Sequence, residues 1–189
     1  MKRRNKFIAS LLVILVLGVV YFIYMEEQGN FHVITAGEAY RSALLDWDEL
    51  DYYIDKYQIK SILNLRGEDI NGQWYKDELR LSAEHNIKHY DLSISARSPI
   101  SDYNVQRILK IFKEAPRPIL IHCQYGADRS GLVAAMWKVV VDKEPKAEAK
   151  KQLSIFYGHI PIGPTAVMDR FFQEWTLPED KNEKKHPDN

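Results

Sequence analysis

The chain's single cysteine lies in the decapeptide His122-Cys123-Gln124-Tyr125-Gly126-Ala127-Asp128-Arg129-Ser130-Gly131, directly after the apolar run Pro118-Ile119-Leu120-Ile121. That run reads as a buried strand. The residues that follow, Leu132-Val133-Ala134-Ala135-Met136-Trp137, read as a helix, so the decapeptide must carry the chain from a strand end into a helix N-terminus. Such a junction belongs to an α/β layered fold and sits where open α/β sheets bind ligands, at the carboxyl ends of the strands.

Five residues separate Cys123 from Arg129. A loop of that length can bend so that successive N–H groups converge on one centre, a nest for an anion. Cys123 would lie at its floor, where the helix dipole and inward N–H groups favour a thiolate, the nucleophilic form of the residue. The planar fork of Arg129 suits two oxygens of a phosphoryl group during in-line transfer, a geometry that lysine does not reproduce. Gly126 suits a turn with positive φ, Gly131 permits close helix packing, and the Ser130 hydroxyl can assist the sulfur as it leaves. Gln124, Tyr125, Gly126, Ala127 and Ser130 are therefore expected to bind the phosphoryl group, and His122 to brace the loop from behind.

These residues resemble the HCxxGxxR[S/T]G loop of cysteine-dependent protein tyrosine and dual-specificity phosphatases. The resemblance extends more loosely from about Tyr40 to Trp137, through Tyr40-Arg41-Ser42 and Ile62-Leu63-Asn64-Leu65-Arg66-Gly67, and is similar to compact bacterial dual-specificity-like members. It implies a mainly parallel sheet flanked by helices, a phosphocysteine intermediate at Cys123, and neither metal nor cofactor. A rhodanese-like sulfurtransferase would have one residue fewer between cysteine and arginine. A low-molecular-weight tyrosine phosphatase would place the loop near the chain start.

The general acid is less legible. In the resembled family an aspartate comes from the loop after the preceding strand, but here that loop is Ser95-Ala96-Arg97-Ser98-Pro99-Ile100-Ser101, without a carboxylate. Asp91 has the right spacing but lies within or before the strand, and Asp102 reads as the start of the next helix. Asp128 directly precedes the loop arginine, a position that resembles the acid of myotubularin-like and some bacterial phosphatases. The catalytic set expected is thus Cys123, Arg129 and Asp128. A scaffold role for Asp128 and an acid role for Asp91 are the alternatives. Arg41 and Arg66, each ending an extended segment, could reach a phosphate or glycan, although single basic residues of this kind more often pair with carboxylates or face solvent.

The N-terminus carries the second strong pattern. Lys2-Arg3-Arg4-Asn5-Lys6 precedes an uncharged apolar run from Phe7 to Tyr24. As a helix this run measures roughly 27 Å, close to the hydrocarbon core of a bilayer. The run is long for a signal-peptide core and lacks a small-x-small cleavage site, so it reads as an uncleaved signal anchor. Basic residues confined to the start predict a cytoplasmic tail at 1–6, a membrane span at 7–24 and a catalytic part on the extracytoplasmic side, periplasmic in a bacterium. Outside the tail, 22 Lys and Arg face 26 Asp and Glu, and no nucleic-acid footprint appears.

Beyond a linker at 25–32, the segment 33–177 is long enough for one domain with its own core. The pattern predicts a strand or hairpin near Val33–Arg41, a helix over Trp47–Tyr57, a strand over Ile59–Leu65, a helix around Trp74–His85, a strand around Asp91, and a helix over Asp102–Glu114. After the cysteine strand and its helix through Val141, helical patterns cover Lys146–Phe156 and Thr165–Trp175, and the charged segment 178–189 reads as a disordered tail. The expected function is a membrane-anchored phosphomonoesterase of the protein tyrosine/dual-specificity type, with a phosphorylated protein, lipid or glycan as substrate. The alternative of another class is a phosphate-binding pseudophosphatase. Oligomeric state is open.

Overall fold

The computed structural model describes residues 2–177, with side chains from residue 6 onward; the tail expected at 178–189 lies outside the described residues. Five strands, β1 (His32–Thr35), β2 (Ala39–Ser42), β3 (Ser61–Asn64), β4 (Lys88–Asp91) and β5 (Ile119–His122), form one sheet in the order β1-β2-β5-β3-β4. Only the β1–β2 hairpin is antiparallel. The other pairs are parallel, as expected for strands joined by crossover helices.

Alternation along the strands sends side chains to two cores. Ile62 and Leu120 pack with Leu50, Tyr53 and Ile54 of helix α2 (Trp47–Tyr57) and Leu81 of helix α3 (Gln73–Glu84). On the opposite face Leu63, Ile119 and Ile121 meet Val105, Ile108 and Phe112 of helix α4 (Asp102–Glu114) and the apolar run 132–137 of helix α5 (Asp128–Val140). Local chemistry sets the helix starts. Asp46 and Glu49 form a reciprocal capping box on α2, and Ser101 caps α4 through Asn104 N. No side chain caps α5, so its first N–H groups remain available.

Register places the site. Ser42, His122, Asn64 and Asp91 form a row across four strands, so β2, β5, β3 and β4 all end at one level. The cysteine loop leaves from the middle of that row.

Two expectations are corrected. The helix pattern over Lys146–Phe156 breaks after helix α6 (Lys146–Ala149) into 3₁₀ turns at Lys150–Gln152 and Ile155–Tyr157, before helix α7 (Ala166–Glu174). The break has a cause: the Gln152 carbonyl turns inward to accept a 2.7 Å hydrogen bond from Arg41, which removes it from the helical ladder. The segment 25–32 is also no free spacer. Helix α1 (Lys2–Glu27) continues to Glu27, and Met25 and Asn30 are buried against the domain. Among the described residues α1 is the one helix long and apolar enough to cross a membrane.

Candidate active site

Residues 123–130 turn between β5 and α5 with the four carbonyls of residues 124–127 tied back to the protein. Gln124 O accepts from Leu44 N at 3.3 Å and Tyr125 O from Asn30 Nδ2 at 2.8 Å. Gly126 O and Ala127 O accept from Arg41 Nη2 at 2.8 and 2.9 Å. Among the described residues the N–H groups of Gln124, Tyr125, Gly126 and Ala127 donate to no acceptor in the protein. Carbonyls held outward leave N–H groups free to face inward, an arrangement suited to an anion.

Arg41 is the central donor. It is fully buried, stacks on Tyr157, and spends its other nitrogen, Nη1, on Gln152 O and Oε1. Burial pulls its pKa down to about 10, while the charges of Cys123, Tyr157 and Asp128 act in the opposite direction. Among the described residues it pairs with no carboxylate and it does not line the cleft, so both expectations for it are replaced: Arg41 shapes the loop from behind. The glycines fit the same arrangement. Gly126 has φ +67°, and a Cβ there would stand 2.6 Å from Ala43 N; a Cβ at Gly131 would stand 2.8 Å from Arg41 Nη2.

Cys123 is buried at the cleft floor, its Sγ 3.5 Å from the Ser130 hydroxyl. Arg129 is steered toward the same cleft by Leu65 O at 3.3 Å, with Ile94 O a long contact at 3.5 Å. The cleft, about 570 Å³, is lined by Cys123, Gln124, Tyr125, Asp128, Arg129 and Arg66, together with Ser95, Ala96, Arg97 and Thr165. Gly126, Ala127 and Ser130 are buried and reach it only through the loop's inner face. Arg66 stacks on Trp74, its Nη1 buried without a hydrogen-bond partner among the described residues, and its pKa is lowered by burial and by neighbouring Arg129. An unpaired guanidinium beside a second one is a place for a dianion.

The candidate acids separate clearly. Asp102 is exposed at the start of α4, outside the cleft lining. Asp91 accepts from Asn64 Nδ2 at 2.8 Å and Tyr75 Oη at 2.7 Å, with His89 Nδ1 at 3.3 Å. Burial raises its pKa, but those partners outweigh burial and hold it below the usual value. A carboxylate so occupied is structural. Asp128 lines the cleft with Oδ1 2.6 Å from His159 Nδ1, and His159 Nε2 lies 2.7 Å from Asp169 Oδ2.

His159, Asp169 and Glu78 escaped the sequence reading, because pairs 31 and 10 residues apart have no local spacing to betray them. Glu78 underlies the site. Its Oε1 is 2.7 Å from His89 Nε2, and its Oε2 is 3.0 Å from His122 Nε2, an ion-pair contact out of hydrogen-bond alignment. Burial acts to raise Glu78, but His122 and His89 outweigh it and bring the pKa to about 2. His122 thus stands against a buried carboxylate at the strand end from which the loop leaves.

Comparison with known proteins agrees with this geometry. The family model described as a DSP-PTPase phosphatase fused to NAD+ kinase matches residues 48–159, more than half of the chain. The dual specificity protein phosphatase TpbA of Pseudomonas aeruginosa is 36% identical over 56 residues, a stretch covering 29% of this chain and 26% of that protein. The crystal structure of TpbA in complex with pTyr superposes with a TM-score of 0.65 at 20% identity, over 85% of this chain and 92% of that one. The catalytic core of the PP-IP phosphatase Siw14 from S. cerevisiae gives 0.64 at 24% identity, over 82% and 91%. The chain belongs to the DSP-PTPase family of cysteine-dependent phosphatases.

Proposed function

We propose that the protein hydrolyses phosphate monoesters through a phosphocysteine intermediate. The observation that carries this reading is the loop itself: four consecutive carbonyls are held outward around a buried thiol while Arg129 is aimed at the same cleft. The phosphoryl group sits on the loop N–H groups and the Arg129 fork. The Cys123 thiolate attacks phosphorus, and an S–P bond forms as the bond to the leaving oxygen breaks. That oxygen takes the carboxyl proton of Asp128, and the resulting carboxylate is received by His159. Water then attacks phosphorus while Asp128 takes its proton, the S–P bond breaks, and inorganic phosphate leaves with Cys123 restored as thiolate, helped by the Ser130 hydroxyl.

The apolar helix α1 supports a single-pass anchor, and the basic residues before it support an extracytoplasmic catalytic domain. The relatives' names favour a phosphorylated protein as substrate, and the anchor favours a membrane-borne monoester. A pseudophosphatase is disfavoured because Cys123, Arg129 and a cleft carboxylate all converge.

The full chain in detergent should release phosphate from an aryl phosphate, and Cys123→Ser should abolish turnover. Acid quenching during turnover of a ³²P-labelled aryl phosphate should leave label on the wild type and none on the variant. Vanadate binding without turnover in the wild type would establish the pseudophosphatase. A reporter fused after Asn189 that is active only in the cytoplasm would overturn the orientation.

A further inference from the structure

The anchor helix does not merely precede the catalytic domain; it is docked beside the phosphate loop. Tyr21 Oη donates to Phe156 O at 2.6 Å, Met25 is buried, and Asn30 Nδ2 donates to Tyr125 O and Tyr157 O at 2.8 and 3.1 Å. Tyr21 lies six residues before Glu27, about 9 Å down the helix axis. It falls inside the apolar run 7–24, so the loop it binds stands at the depth where hydrocarbon gives way to headgroups. That loop is apolar where a soluble protein would be polar: Phe156 is 68% exposed and Ile162 75%, with Ile155 and Ile160 also exposed. Thr165, just beyond it, lines the catalytic cleft.

A groove of about 410 Å³ joins the two sites. Phe22 and Met25 of α1 line it with Leu44 and Gly158, and Gln124 and Tyr125 line both this groove and the catalytic cleft. Glu26 and Glu49 share the lining, so the groove is amphipathic, like the interfacial zone of a bilayer. The cleft itself presents Arg66, Arg97 and Arg129 to an anion.

Resting on the phosphatase reading and the anchor, we propose that the cleft opens at the bilayer surface and that its substrate is a phosphate monoester borne by a membrane lipid. The 155–162 loop lies in the interface, continuous with the membrane helix. The lipid's phosphate enters the arginine-lined cleft, and the first part of its apolar moiety follows Tyr125 into the groove beside Phe22. The exposed apolar loop and the bilayer-facing groove are both accounted for by this occupant.

The test uses the full chain in phosphatidylcholine vesicles. Long-chain phosphatidic acid in the bilayer, a soluble short-chain phosphatidic acid and an aryl phosphate are compared by phosphate release. Long-chain lipid should be turned over at least tenfold faster than the short-chain form. The double variant Phe156→Ser, Ile162→Ser should lose most of that advantage while hydrolysing the aryl phosphate like the wild type. Equal rates on both lipids with normal aryl phosphate turnover would overturn the lipid assignment and leave the phosphatase reading intact. So would faster turnover of a phosphotyrosine placed just outside the span of a transmembrane peptide. A spin label on Ile162→Cys, in the Cys123→Ser background, gives a readout independent of turnover. Greater collision with oxygen than with an aqueous nickel complex supports the placement, and the reverse overturns it. Failure to turn over any of the phosphates would fall on the phosphatase reading, and the label would still decide where the loop lies.

Discussion

Asp128 and His159 meet at 2.6 Å, Oδ1 to Nδ1, across 31 residues of chain. The imidazole is fully buried between two carboxylates, and Lys150 stands 3.8 Å from the farther one, Asp169. Burial lowers the His159 pKa, but hydrogen bonds and charge from Asp128 and Asp169 outweigh it, so the net shift is upward. In the proposed mechanism, an imidazolium placed there would receive the charge that Asp128 acquires on giving a proton to the leaving oxygen.

Asp128→Asn should therefore lower kcat by about 10²–10⁴-fold for an alkyl phosphate, and by much less for an aryl phosphate with a good leaving group. His159→Gln, which keeps the carboxyl but removes its charged partner, should cost roughly 10- to 100-fold on the alkyl ester. The pH profile gives the sign. His159 is charged below its raised pKa and discharges as pH rises through it, so the wild type should lose part of its activity across that range and His159→Gln should lack that component. Equal sensitivity of both esters to Asp128→Asn would remove the acid role.

Asp91→Asn should leave the leaving-group dependence unchanged, because Asp91 serves Asn64, Tyr75 and His89 rather than the cleft. Its cost should fall on stability. A larger kcat loss on poor leaving groups than Asp128→Asn produces would reverse the assignment.

Arg41→Met should collapse the loop without touching substrate. It strands the carbonyls of Gly126 and Gln152, each worth about 1–3 kcal/mol when buried unsatisfied, while Ala127 O keeps only its bond from Gly131 N. The expected result is a lower Tm and loss of vanadate affinity together. Gly126→Ala should act in the same direction through its φ of +67° and the close approach of Ala43 N, costing about 1–3 kcal/mol. Wild-type vanadate affinity in a folded Arg41→Met protein would contradict this.

Stability should titrate through the Glu78–His89–Asp91 cluster. Burial lowers the His89 pKa, but Asp91 and Glu78 outweigh it and raise the value from 6.5 to about 9. The stabilisation is present in full below 6.5 and is lost as pH rises through about 9. Glu78, held at about 2, contributes above its ordinary 4.5 and loses that contribution as pH falls toward 2. Thermal unfolding of the wild type should fall across the alkaline window, and His89→Gln should flatten that fall. An unchanged slope in the variant would exclude His89 as its source.

Much of this molecule is local in the sequence. The strand over 119–122, the turn with Gly126 and the helix beginning at Asp128 follow from apolar runs and glycine positions that neighbouring residues alone determine. Cys123 and Arg129 were legible for the same reason, since one loop holds both. The apolar run behind α1 needs no partner to be recognised. Tertiary structure decided what depends on distant charges sharing a small volume. Asp91 and Asp128 are both aspartates near the right spacing, and only packing gives the first three buried partners and the second a place in the cleft beside His159. Arg41 looks like any strand-end arginine until the sheet carries it beneath the Gly126 and Ala127 carbonyls. The docking of Tyr21 of α1 against Phe156, and of Asn30 just beyond α1 against Tyr125, joins residues more than 90 positions apart, and no periodicity reports such contacts. Propensity and pattern are properties of neighbours along the chain, whereas burial, ion pairing and proximity to a membrane are properties of neighbours in space.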